Sequence, residues 1–140
     1  MNELNVFIGT DESVIIDFLK EIIEEKYVTN YKFNFISAYI DSDIIEVADK
    51  KSFDIFILHL NNILCTGDYT SSTEVICRGV EFISFIKGRY NKPIISFSVF
   101  KEYAGKAEKA GALSFIRLPF EIKEFESAFD KSLESISCES

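Results

Sequence analysis

The chain has 140 residues, a formal net charge of −8 and a hydrophobic content of 47%. That length suits one domain with a single core, and so much apolar sequence excludes a disordered chain despite the charge. The acidic balance argues against a general binder of nucleic acid or of an acidic membrane surface.

Strand-like and helix-like segments alternate along the whole chain. Asn5-Val6-Phe7-Ile8 predicts a short strand closed by Gly9. Thr10 or Asp11 is placed to cap a helix in which Val14, Ile15, Phe18, Leu19, Ile22 and Ile23 recur at helical spacing. Tyr31 to Ala38 alternates in strand fashion, and Asp41 or Ser42 caps a short helix with Ile44, Ile45, Val47 and Ala48 on its apolar side. Phe53 to Leu58 is a continuous apolar run, as expected of a strand buried on both faces. Val80, Phe82, Ile83 and Ile86 mark a third helix ended by Gly88. Pro93 to Phe97 predicts a fourth strand, Lys101 to Ala110 a fourth helix capped by Gly111, and Leu113 to Arg117 a fifth strand. The last helix is expected over Phe120 to Ile136, with Ile122, Phe125, Phe129, Leu133 and Ile136 on one side.

Five strands alternating with five helices predict an α/β fold: a doubly wound parallel sheet of the flavodoxin-like (βα)5 class, in the order 2-1-3-4-5. No apolar run is long enough to span a membrane, and the N-terminus lacks the basic-then-apolar pattern of a signal peptide. Cys65, Cys77 and Cys138 are odd in number and widely spaced, which suggests reduced thiols and a cytoplasmic protein. The whole chain, 1–140, is expected to be one domain. Residues 60–77 form an enlarged connection, longer than the roughly 2–6 residues usual between strand and helix.

The segment from Lys92 to Phe120 reads KPIISFSVFKEYAGKAEKAGALSFIRLPF. This strand, helix, strand and Leu118-Pro119-Phe120 opening resembles the end of the receiver domain of bacterial two-component response regulators. The resemblance extends over nearly the whole chain and implies a pocket at the carboxyl ends of the strands. Receivers carry there an acidic pair, a phosphoacceptor aspartate, a serine or threonine, and a lysine. The carboxylates hold Mg²⁺, and the lysine and hydroxyl neutralise the transferred phosphoryl group.

Carried onto this sequence, the acidic pair falls on Thr10 and Asp11, or on Asp11 and Glu12 if the register slips by one. The acceptor falls on His59, the hydroxyl on Ser98 and the lysine on Leu118. Asp54 cannot stand in for the acceptor, since it lies at the opposite end of its strand, roughly 16 Å away. The resemblance therefore implies a degenerate pocket without cofactor or metal, in which Asp11 is the one weak metal candidate. His59 is the only histidine. It fits an imidazole held by Thr10, Asp11 or Ser98, a pH-sensitive plug, or a modified or metal-binding residue.

A receiver reaches the glycine that opens its third helix soon after the acceptor, whereas here Arg78-Gly79 comes some dozen residues late. The inserted tip Gly67 to Thr73 is a tolerated insertion or a docking loop, with Asp68 and Tyr69 as its candidate contact residues. Phe115 matches the aromatic of the receiver surface that answers phosphorylation. Charge is also polarised. Residues 11–26 hold six acidic and two basic residues, 120–140 repeat that count, and 78–117 hold eight basic and three acidic.

The sequence thus predicts an atypical receiver in phosphorelay signalling, not an enzyme, that acts by protein–protein contact without aspartyl phosphorylation. With nothing after Ser140 to serve as an output domain, its expected partners are signalling proteins: a histidine kinase, an output protein or a second copy in a homodimer. The alternative is a phosphoacceptor or metal-dependent receiver that uses His59 or a nearby carboxylate. Flavin binding, which shares the topology, is disfavoured because Gly9-Thr10-Asp11-Glu12-Ser13 sets two acids where its phosphate would sit.

Overall fold

The structure is a computed structural model that describes residues 2–10, 12–37, 48–60 and 72–138, with side chains in the last range from 79 to 137. Among these, five strands form one parallel sheet: β1 (Asn2–Gly9), β2 (Tyr31–Ser37), β3 (Ile55–His59), β4 (Ile94–Ser98) and β5 (Ser114–Arg117). Their order is β2-β1-β3-β4-β5, as the alternation of elements predicts. The helices are α1 (Ser13–Tyr27), α2 (Ser72–Tyr90), α3 (Lys106–Ala110) and α4 (Ile122–Cys138). Residues 48–51 are helical, while the rest of the second predicted helix, with both of its candidate caps, lies outside the described residues.

The sheet divides the core in two because successive side chains of a strand point to opposite faces. Val6, Ile8, Ile55, Ile57, Ile95 and Phe97 pack with Leu19 and Ile23 of α1 and with Phe125 and Phe129 of α4. Phe7, Phe56, Leu58 and Ile94 pack on the other face with Ile83 and Ile86 of α2 and Ala107 of α3. Every residue of β3 and β4 is buried, which explains their mainly apolar sequence, with Ser96, Ser98 and His59 as the buried polar exceptions. At the amino end of the sheet Asp54 accepts the Asn5 N–H at 2.8 Å, so its carboxylate serves the fold far from the carboxyl edge.

The two acidic helices lie side by side, as the strand order requires. The Tyr27 hydroxyl donates to the Asp130 carboxylate across the α1–α4 seam. Lys26 Nζ stands 3.4 Å from Asp130 and 3.7 Å from Glu126. Burial, and then the bond to Asp130, pushes the Tyr27 hydroxyl well above its ordinary pKa.

Four details depart from the sequence reading. The helix expected from Lys101 to Ala110 is a 3-10 turn at Lys101–Tyr103 followed by the short α3, because Gly105 adopts φ +82° between them. Gly88 does not end its helix; α2 runs through it to Tyr90, and the chain turns at Asn91 with φ +50°. That helix also begins at Ser72 rather than near Val80. Finally, the residue at the cap of α1 is Glu12, with no side-chain cap bond. The Thr10 hydroxyl instead accepts the Glu12 N–H at 3.2 Å, in a local turn ahead of the helix.

Candidate functional site

Parallel pairing brings the ends of four strands to one edge. Gly9 pairs with Leu58, His59 with Phe97, and Ser98 with Arg117. The residue after β1 therefore lies beside the last residue of β3. Thr10 is fully buried there and His59 is 3% exposed, with Thr10 Oγ1 3.2 Å from His59 Nδ1. A hydroxyl has one donor and two lone pairs, so Thr10 can satisfy Nδ1 in either tautomer while still accepting from Glu12.

The imidazole lies flat on the Phe97 ring, with centroids 4.7 Å apart and planes 15° apart. Phe97 in turn meets Phe120 at 6.3 Å, and Phe120 meets Phe18 of α1 at 6.1 Å and Phe125 of α4 at 6.0 Å. His59 thus ends an aromatic chain that continues into the core. Leu118 is half-buried and packs with that same cluster, and its N–H donates to the Ser98 carbonyl at 2.8 Å. The Ser98 hydroxyl, also buried, accepts the Phe100 N–H at 3.0 Å. The Leu118–Pro119 bond is cis.

Of the predicted pocket residues, the structure joins Thr10 to His59 directly and brings Ser98 and Leu118 together through the backbone bond. Glu12 is exposed, and Asp11 lies outside the described residues, as do Asp68 and Tyr69. Phe115 is half-buried against Tyr103, with ring centroids 6.1 Å apart. Two residues of the site were missed in the sequence: Phe97, hidden in an ordinary apolar strand run, and Phe120, read only as a helix opening.

No protein-family model matches the chain, and no curated protein sequence does. Solved structures do match. The response regulatory domain of MrkE from Klebsiella pneumoniae superposes with a TM-score of 0.71 at 18% identity, covering 96% of this chain and 98% of that one. A response regulator from Thermotoga maritima gives 0.71 at 16% identity, covering 94% and 98%. HP1043, an orphan response regulator of H. pylori, gives 0.65 at 16%, covering 93% and 96%. The chain has the receiver fold.

Within that fold, the described residues at the carboxyl edge do not make a site for Mg²⁺. Mg²⁺ demands oxygen ligands, and the acceptor position holds a buried imidazole already engaged by Thr10 and Phe97. Among the described residues, no three His, Cys, Asp or Glu side chains cluster as metal ligands would. No described helix is long and apolar enough to cross a membrane. At the carboxyl edge of this fold Thr10 is bonded to His59, His59 is stacked on Phe97, and Leu118 packs on the same cluster.

Proposed function

We propose that this chain is an atypical response-regulator receiver that works in two-component signalling by binding other proteins, without aspartyl phosphorylation and without being an enzyme. One observation carries the reading: His59, at the acceptor position, is buried, bonded to Thr10 and stacked on Phe97. A phosphoryl group needs an exposed carboxylate, a cation at its oxygens and room to enter. Leu118, in the lysine position, offers none of the charge.

The surface beside the filled pocket supports docking instead. Val14 is 80% exposed on the first turn of α1, and Phe18 and Ile122 are exposed as well. Glu12, Asp17 and Glu21 are exposed along the same helix, so the face is apolar with an acidic rim. Such a face suits a signalling protein with a basic, amphipathic helix.

The test pairs two measurements on the full chain. Acetyl phosphate with Mg²⁺ should leave the intact mass unchanged, and the proteins captured from the source cell should be the same before and after that treatment. Capture should be lost in Val14→Asp/Phe18→Asp. A phosphoryl adduct that disappears in His59→Ala would sink the proposal in favour of an altered phosphoacceptor.

A further inference from the structure

The two edge strands of the sheet, β2 and β5, are guarded very differently. β5 has four residues and ends on the exposed Arg117. β2 has seven, and it pairs with β1 in unbroken register from Asn2↔Tyr31 to Ile8↔Ser37. It carries no proline and no bulge, and no strand pairs with its outer side among the described residues. Its one charged residue, Lys32, stands 3.5 Å from Glu3 of β1, which partly offsets the charge. Short strands, charges, prolines and bulges are what keep an edge from pairing, and a long regular edge that lacks them is a template for a further strand.

One face of β2 carries an aromatic row. Ring centroids of Tyr31 and Phe33 are 5.8 Å apart and those of Phe33 and Phe35 6.0 Å, and all three side chains stay partly in solvent. The other face carries the exposed Lys32 and Asn34. The row is symmetric about Asn34, with Phe33 on one side and Phe35 on the other. An antiparallel strand of the same sequence, centred there, sets each Phe33 opposite a Phe35 and each Lys32 opposite an Ile36 rather than another lysine. We infer that two copies of this chain pair through β2 in this register, forming one continuous sheet about a two-fold axis at Asn34.

The helix above the edge fits the same symmetry. Lys20 Nζ lies over the Phe35 ring at 5.6 Å, and Tyr27 meets Phe33 at 6.4 Å, so α1 runs antiparallel to β2. Asp17 and Glu24, both exposed, share the side of α1 that carries Lys20. The axis sets Lys20 of one copy level with Glu24 of the other, twice over, and leaves Asp17 farther out. Glu21 and Glu25, also exposed on α1, add repulsion, so backbone bonds and the aromatic row carry the association. An unrelated peptide would have neither the symmetric row nor the matched helix charges.

Sedimentation equilibrium of the full-length chain, from micromolar to millimolar protein, tests the pairing. We expect monomer to pass into dimer within that range, with amide exchange slowed at 31–37 in the dimer. Asn34→Lys gathers four lysines about the axis and should weaken self-association by about tenfold or more. Adding Asn34→Glu to that variant should restore a mixed dimer, because opposite charges then meet at the axis. Residue 34 is exposed, and circular dichroism checks that both variants keep the fold. A chain that stays monomeric throughout, protection confined to other surfaces, an Asn34→Lys variant that dimerises as the original does, or a mixture that stays monomeric would each overturn the proposal. These outcomes do not depend on phosphorylation or on capture of another protein, so the dimer and the closed pocket fail separately.

Discussion

Replacing Gly79 with alanine tests the packing that fixes the α3 side of the receiver. Glycine inside a helix is worth about 1 kcal/mol less than alanine, so the substitution alone should stabilise α2. Yet a Cβ at Gly79 would lie 2.4 Å from Tyr103 Oη, 2.7 Å from its Cε1 and 2.8 Å from its Cζ. Tyr103 is fully buried, so its rigid ring can yield only by displacing its neighbours in the core. Expelling a large aromatic from a core costs about 3–5 kcal/mol, which outweighs the helix gain and leaves a net loss of about 2–4 kcal/mol. Urea denaturation should register this as a lower midpoint with an unchanged slope. In a Tyr103→Ala background the same change should instead stabilise by about 1 kcal/mol, since the obstacle is gone. If Gly79→Ala alone raises the midpoint, Tyr103 is not wedged against α2.

Restoring one pocket residue should not restore phosphorylation: His59→Asp alone should stay unmodified by acetyl phosphate, and only with Leu118→Lys and Thr10→Asp should a phosphoryl adduct form, because these groups act as a unit. Mass spectrometry decides, and an adduct on the single variant would mean the pocket is less degenerate than its residues imply. Calorimetric titration with Mg²⁺ should give no saturable binding in the micromolar range, whereas micromolar binding lost in Asp11→Ala would reveal a working acidic site. Tyr27 has a folded-state pKa above its unfolded value of about 10, so its contribution is fully present below that pH and is lost as pH rises further. Tyr27→Phe should therefore flatten the fall in stability above about pH 10 in alkaline denaturation curves, and an unchanged slope would contradict the burial and the Asp130 bond as its cause.

Much of the fold was legible because both faces of the central strands are buried. Runs such as Phe53 to Leu58 and Pro93 to Phe97 are short and rich in β-branched and aromatic residues, which favours strands of a covered parallel sheet, and the helical stripes between them supply the covering layers. Helix ends were less legible. Gly88 looks like a terminator, yet nothing stands within 4 Å of where its Cβ would be, and the helix continues past it. Gly105 looked like a helix interior residue, and its positive φ breaks the segment. At the site, sequence could assign His59 to the acceptor position and name Thr10 as a partner. It could not show that Phe97 would lie under the imidazole, because a register neighbour across two strands leaves no local pattern.

The central claim is that Thr10, His59, Phe97 and Leu118 close the pocket in which a receiver is phosphorylated. Intact-mass spectrometry of the full-length protein after incubation with acetyl phosphate and Mg²⁺ tests this most directly, with a phosphorylatable receiver as positive control. The closed pocket predicts an unchanged mass under conditions that modify the control. A gain of one phosphoryl group, mapped to Asp11, Glu12 or His59, would contradict it.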